Sequence, residues 1–163
     1  MAHALRTVLW FDGGVEEAAR FYADTFPDSR IDRTVASPGD WPNGKTGDTI
    51  LVDLTICGRA FQLVNGGPEF RPNMAVSLMV ETEDQKETDR IWQAILDAGG
   101  EAVMCGWMTD PYGFSWQITP KRLLELLDDT DRAKAARAFE AMGQMVKIDI
   151  AALERAARGE EPR

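Results

Sequence analysis

The stretch LRTVLWFDGGVEEAARFYADTF, residues 5–26, decides how this chain is read. Its first seven residues alternate, with Arg6, Val8 and Trp10 on one face and Thr7, Leu9 and Phe11 on the other, the period-two pattern of a strand covered on both sides. Asp12-Gly13-Gly14 breaks the alternation. From Val15 the period changes: Val15, Ala18, Ala19, Tyr22 and Phe26 fall on one stripe at helical spacing, and Pro27 closes the helix. A strand, a tight turn and an amphipathic helix that packs on a sheet therefore open the chain.

The same grammar continues outward. Residues 29–35 read as a strand, and 36–47, with two prolines, three glycines, Asp40 and Asn43, read as a long surface loop. Strands over 49–56 and 59–64 meet across Cys57-Gly58, a hairpin signal, and Asn65-Gly66-Gly67-Pro68 ends the unit. The order then repeats. Residues 75–81 read as a strand and 84–98 as a helix with Ile91, Trp92, Ile95 and Leu96 inward. A strand over 101–107, the turn Asp110-Pro111-Tyr112-Gly113 and a strand over 114–119 follow, stopped by Pro120. Helical patterns at 123–127, 133–145 and 150–157 complete the chain, with fraying expected in the last few charged residues. The expectation is a single α+β domain over residues 1–163, with module one at about 4–66, module two at about 73–120 and a C-terminal helical segment at about 121–158.

Composition bounds the function. Of 163 residues, 44% are apolar and 28% charged, which is globular rather than disordered composition. The net charge of −9 repels phosphate backbones, so no nucleic-acid partner is expected. No apolar run reaches membrane-spanning length, which argues against a membrane role. The two cysteines, Cys57 and Cys105, lack CxxC spacing and follow no secretory leader. They read as thiols in a reducing, cytoplasmic compartment.

Several segments together carry a family resemblance. Leu9-Trp10-Phe11-Asp12, Glu16-Glu17-Ala18, Phe21-Tyr22, Phe61-Gln62-Leu63 and Asn65-Gly66-Gly67-Pro68 belong to it. So do Cys105-Gly106-Trp107, Asp110-Pro111-Tyr112-Gly113, Ser115-Trp116-Gln117 and Lys147-Ile148-Asp149-Ile150. They look like the PhnB-like branch of the vicinal oxygen chelate superfamily, over nearly the whole chain. Members of that branch are often labelled 3-demethylubiquinone-9 3-methyltransferase-like. The wider superfamily includes glyoxalase I, bleomycin and fosfomycin resistance proteins and extradiol dioxygenases. The resemblance implies paired βαβββ modules around a cavity, a homodimer, and, in metal-dependent members, His or Glu ligands on the first and last strands of each module.

Register places those four positions at about Arg6, Gln62, Ala75 and Gln117. A guanidinium, a methyl group and two neutral amides offer a divalent cation repulsion and two weak ligands, so no metal and no cofactor are expected. His3, the one histidine, reads as an unpaired residue near the N-terminus. A methyltransferase of the usual kind needs a glycine-rich turn before a parallel-sheet helix. Asp12-Gly13-Gly14 is the nearest approach and reads as a connecting turn before it reads as an anion site. Cys57 and Cys105 read as inert packing residues in apolar strands, without a base to activate them.

What remains is a cavity. Strand parity sends Arg6, Val8, Trp10, Gln62, Val64, Ser77, Met79, Ser115 and Gln117 to the face opposite the helices. Leu9, Phe11, Phe61, Leu63, Val76, Leu78, Val80, Trp116 and Ile118 face them. The first set mixes apolar walls with a few polar groups, the usual lining of a ligand pocket. The ligand-binding candidates are Arg6, Trp10, Gln62, Ser77, Met79, Trp107 and Gln117. Trp41, in the long loop, is a candidate lid or dimer contact, or a locally packed loop residue. The competing reading of the polar set is a core in which Gln62 and Gln117 satisfy one another and Arg6 reaches a buried acid. Two functions stay open beside a third reading, a purely structural dimer. One is a metal-independent binding protein holding a small, partly apolar ligand of unknown identity, anions among the candidates, between module sheets in a homodimer. The other is an enzyme in which Arg6, Gln62 and Gln117 polarise a carbonyl or aromatic substrate; its catalytic residues are not identifiable.

Overall fold

The computed structural model describes residues 5–160, so His3 and the last three residues lie outside the described residues. It divides into two compact units between Pro72 and Asn73. The first runs β1 (Thr7–Phe11), α1 (Val15–Thr25), β2 (Arg30–Ala36), β3 (Thr49–Ile56) and β4 (Arg59–Asn65). The second runs β5 (Ser77–Thr82), α2 (Gln85–Asp97), β6 (Glu101–Ala102), β7 (Trp107–Thr109) and β8 (Ser115–Pro120), followed by α3 (Lys121–Leu127), α4 (Arg132–Met142) and α5 (Ile150–Arg158). Each unit is thus a βαβββ module with a four-stranded sheet.

In the first sheet the order is β1-β4-β3-β2; β1 and β4 are parallel and the other pairs antiparallel. Leu9, Phe11, Val52, Leu54, Ile56, Phe61 and Leu63 are buried on one face, with Val15, Ala18, Ala19, Tyr22 and Phe26 of the α1 segment. The helix opens without a side-chain cap, from Gly14 in the left-handed region. Ile56 pairs with Arg59, and Cys57 (φ 47°) and Gly58 (φ 72°) both have positive φ. That is the two-residue type I′ hairpin turn, whose backbone twist matches that of its strands.

The second sheet is ordered β5-β8-β7-β6 with the same pattern of directions. Val80, Met108, Trp116 and Ile118 are buried, with Ile91, Trp92 and Ile95 of α2. Asp84 caps α2 by accepting the Glu87 N–H, and Glu87 returns an oxygen to the Glu83 N–H, a local variant of the capping box.

Three expectations change here. The strand expected over 101–107 is two strands, β6 and β7. Cys105 (φ 53°) and Gly106 (φ 82°) reverse the chain between them, closed by the Trp107 N–H on the Met104 carbonyl at 2.9 Å. The cysteines therefore sit in turns, half-buried, rather than in apolar strands. The strand expected from Ala75 starts at Ser77, because the Asn73 side chain takes the Ala75 N–H at 2.8 Å and holds the chain in a bend. Val76, expected against the helix, is consequently 74% exposed.

The C-terminal helices pack within the second unit around Leu123, Leu126, Ala138, Ile148, Leu153 and Ala157. The Gln85 amide donates to the Ile148 carbonyl and accepts the Ile150 N–H, at 3.0 and 2.8 Å. The Cys105 and Gly106 N–H groups donate to the Met145 and Val146 carbonyls at 2.7 and 2.8 Å. No helix among the described residues is long and apolar enough to cross a membrane.

Candidate functional site

β3 reads Thr-Ile-Leu-Val-Asp-Leu-Thr-Ile, and alternation forces Asp53 onto the face that α1 does not cover. Asp53 is only 6% exposed, and a buried carboxylate needs partners. It has four hydrogen bonds from three side chains. Oδ1 accepts from Arg6 Nη1 at 2.5 Å and Gln62 Nε2 at 2.7 Å; Oδ2 accepts from Arg33 Nη2 at 2.7 Å and Nε at 3.1 Å. The Gln62 amide first, then the two guanidinium groups, outweigh burial and hold the Asp53 carboxyl below the usual range, so it is ionised at neutral pH.

Strand register explains the convergence. Val8, Gln62, Asp53 and Arg33 form one row across β1, β4, β3 and β2. Arg6, just ahead of β1, reaches into that row with its guanidinium. Two residues further along lie Trp10, Val64, Leu51 and Val35. The Trp10 ring bends over the Asn65–Pro68 loop, where a Cβ on Gly66 would collide with the indole. Trp10 Nε1 donates to the Gly67 carbonyl at 2.8 Å, and Phe70 stands edge-on to the ring, centroids 5.1 Å apart.

The candidates of the second unit gather on its own helix-free face. Met79, Gln117 and Trp107 share one cross-strand row, and Ser77, Ser115 and Thr109 the next. Gln117 Nε2 donates to Ser77 Oγ at 2.6 Å. Ser115 Oγ is buried with no hydrogen-bond partner among the described residues. Ala75, outside the strand, presents a methyl group.

Other features read as architecture. Asp110 accepts the Tyr112 and Phe114 N–H groups on Oδ1 and the Trp116 indole N–H on Oδ2, at 2.8 to 3.0 Å, which ties the Asp-Pro-Tyr-Gly turn to the core. The loop before β3 is held by Asp40, which accepts from Thr46 and Lys45. Trp41 is bridged to Gly44 and its ring packs on that glycine, with Nε1 buried and lacking a partner among the described residues. At the Asp12-Gly13-Gly14 turn, Glu16 and Glu17 occupy the first turn of α1, where their charge opposes an anion.

Arg33, Asp53 and Phe70 escaped the reading of the sequence. A single acid inside an otherwise apolar strand was the available signal for Asp53, since such a residue demands cationic neighbours. Nothing comparable marked Phe70.

The family model for 3-demethylubiquinone-9 3-methyltransferase matches residues 3–119. A PhnB protein from Bacillus cereus is 30% identical, with 72% of this chain and 99% of that chain covered and a TM-score of 0.62. A Pseudomonas aeruginosa protein of 17% identity covers 73% and 98%, with a TM-score of 0.60. A fosfomycin resistance protein from Listeria monocytogenes, complexed with Mn(II) and 1S,2S-dihydroxypropylphosphonic acid, is 14% identical; the alignment covers 71% and 90%, with a TM-score of 0.50. The last two likenesses show the fold alone. No curated protein matches the chain.

Proposed function

The chain belongs to the 3-demethylubiquinone-9 3-methyltransferase family, the PhnB-like branch of the vicinal oxygen chelate superfamily, and from that premise we propose that it is a metal-independent binding protein for a small, partly apolar anion. One observation carries the reading. In the first unit, both positions at which metal-dependent relatives are expected to hold a cation, Arg6 and Gln62, turn N–H donors toward Asp53. The carboxylate that a cation would need is already satisfied by two guanidinium groups and an amide. In the second unit the corresponding residues are a methyl group and an amide bound to Ser77. These donors do not fit a divalent ion.

The same carboxylate bears on catalysis. A general base working near neutral pH needs a pKa near 7, whereas Asp53 is pushed the other way. Asp53 is therefore a weak general base at neutral pH. The groups assigned to ligand are Arg6, Trp10 and Gln62 on the first unit and Ser77, Met79, Trp107 and Gln117 on the helix-free face of the second. The working state is a cytoplasmic homodimer without cofactor, nucleic acid or membrane partner.

Metal analysis of the purified protein and a thermal-shift screen of small acids, amines and neutral aromatics test this reading, since a ligand that binds the native state raises Tm. The expected result is substoichiometric metal and stabilisation by acids without turnover. Stoichiometric zinc, nickel or manganese together with turnover would overturn it.

A further inference from the structure

We infer that the helix-free face of the first unit is a polarised slot for a monocarboxylate bearing a flat apolar ring, with Arg6 and Arg33 taking the carboxylate and Trp10 with Phe70 taking the ring. This deepens the binding-protein reading and rests on it.

Charge sets one end. Two guanidinium groups surround one carboxylate, leaving one positive charge in a chain whose net charge is −9. That residual charge matches one carboxylate better than a phosphate dianion. Exposure decides what a ligand meets. The Arg6 and Arg33 side chains are 43% and 65% exposed, whereas the Asp53 side chain is 9% exposed. The acid lies beneath and the guanidinium groups above. Each guanidinium carries five N–H donors; Arg33 gives Asp53 its Nε and one Nη2 hydrogen, and Arg6 gives one from Nη1. The remaining donors are held in fixed directions, so Asp53 is a positioning residue.

Aromatic surface sets the other end. Trp10 has spent its only polar hydrogen on Gly67, so it offers ring surface. Phe70, 62% exposed, is held against it without being part of the core. Val64, Leu51 and Val35, all half-buried, continue the same row. That row is two strand residues, roughly 6.6 to 6.8 Å, from the Asp53 row. The longer arm of 3-phenylpropionate carries its ring further toward Trp10 and Phe70 than the ring of benzoate reaches from the same carboxylate position.

Calorimetric titration of the full chain with benzoate, phenylacetate, 3-phenylpropionate and 3-phenylpropionamide tests the slot. The expected order places 3-phenylpropionate at least about fivefold tighter than benzoate, and its amide about tenfold weaker than the acid, the loss of one charge-assisted contact. Arg33→Gln should weaken the acid about tenfold and leave the amide unchanged, with Arg33→Lys between. Asp53→Asn raises the positive charge of the face; a positioning role predicts weaker acid binding all the same, and tighter binding would overturn that role. Equal affinity for benzoate and 3-phenylpropionate, equal affinity for acid and amide, or no effect of Arg33→Gln would overturn the slot. Stabilisation by neutral or cationic compounds while every acid fails would overturn the slot alone and leave the binding-protein reading standing.

Discussion

Replacing Asp53 with asparagine removes the group on which three side chains of the first unit converge. Asparagine keeps one acceptor oxygen. With its NH2 toward Arg33 two of four hydrogen bonds are lost; with it toward Arg6 and Gln62 one is, since Gln62 can turn its own amide to accept, and in either case the charge behind the remaining bonds is gone. A hydrogen bond to a charged group contributes about 1.5 to 3 kcal/mol when buried. The guanidinium groups are half-exposed and recover hydration, which pulls each toward the roughly 0.2 to 1 kcal/mol of exposed pairs. The expected loss is about 2 kcal/mol, or a Tm lower by roughly 4 to 8 °C for a chain of this size. The pH dependence has a definite sign. The Asp53 carboxyl is depressed in the folded state, so its contribution is fully present above the ordinary aspartate pKa of about 4. It is lost as pH falls through the lower folded value. Urea unfolding of both proteins at pH 7 and at about pH 2.5 should show a gap that is smaller at the second. A gap below about 0.5 kcal/mol at pH 7, or one that does not shrink in acid, would refute the reasoning.

Four further outcomes follow from the same geometry. Gly66→Ala places a methyl group against the Trp10 indole and should cost about 1 to 3 kcal/mol, with a displaced Trp10 indole N–H resonance in NMR spectra. Trp116→Phe deletes the bond to Asp110 Oδ2 and should cost about 1.5 to 3 kcal/mol by urea unfolding. Ser115→Ala removes a buried hydroxyl that has no partner among the described residues and should change stability by less than about 0.5 kcal/mol or raise it; a loss above 1 kcal/mol would reveal a partner. Cys57→Asn supplies the residue that a type I′ turn favours before glycine and should raise stability by about 0.5 to 1 kcal/mol.

Alternation and helical spacing carried most of the architecture. Leu9 and Phe11, Phe61 and Leu63, and Trp116 and Ile118 are buried against their helices as period two demands, because each sheet has one face covered. The break at Cys105-Gly106 was harder. The same dipeptide at Cys57-Gly58 read as a turn because a full strand pattern lies on each side of it, over 49–56 and 59–64, whereas Val103-Met104 and Trp107-Met108 look like one continuous strand. Only the positive φ at Cys105 and Gly106 separates them. At the candidate site, parity gave the face of each residue but not its partner. Arg6 reaches a buried acid, one of the two readings its sequence context allowed, and the acid is Asp53. Pairing it with Arg33 depends on how β2 registers against β3, where bulges interrupt the ladder on both sides of Arg33 and Thr34. Hydrophobic pattern does not encode such irregularities.

The bonds that run from Cys105, Gly106 and Gln85 to residues 145–150 give the two units different histories on the ribosome. Every strand of the first sheet has been translated by Asn65, whereas the second module lacks the backbone that satisfies its central reversal until Met145 and Val146 have left the exit tunnel. Nascent chains arrested near residue 140 should accordingly resist protease over the first unit and remain susceptible beyond Asn73.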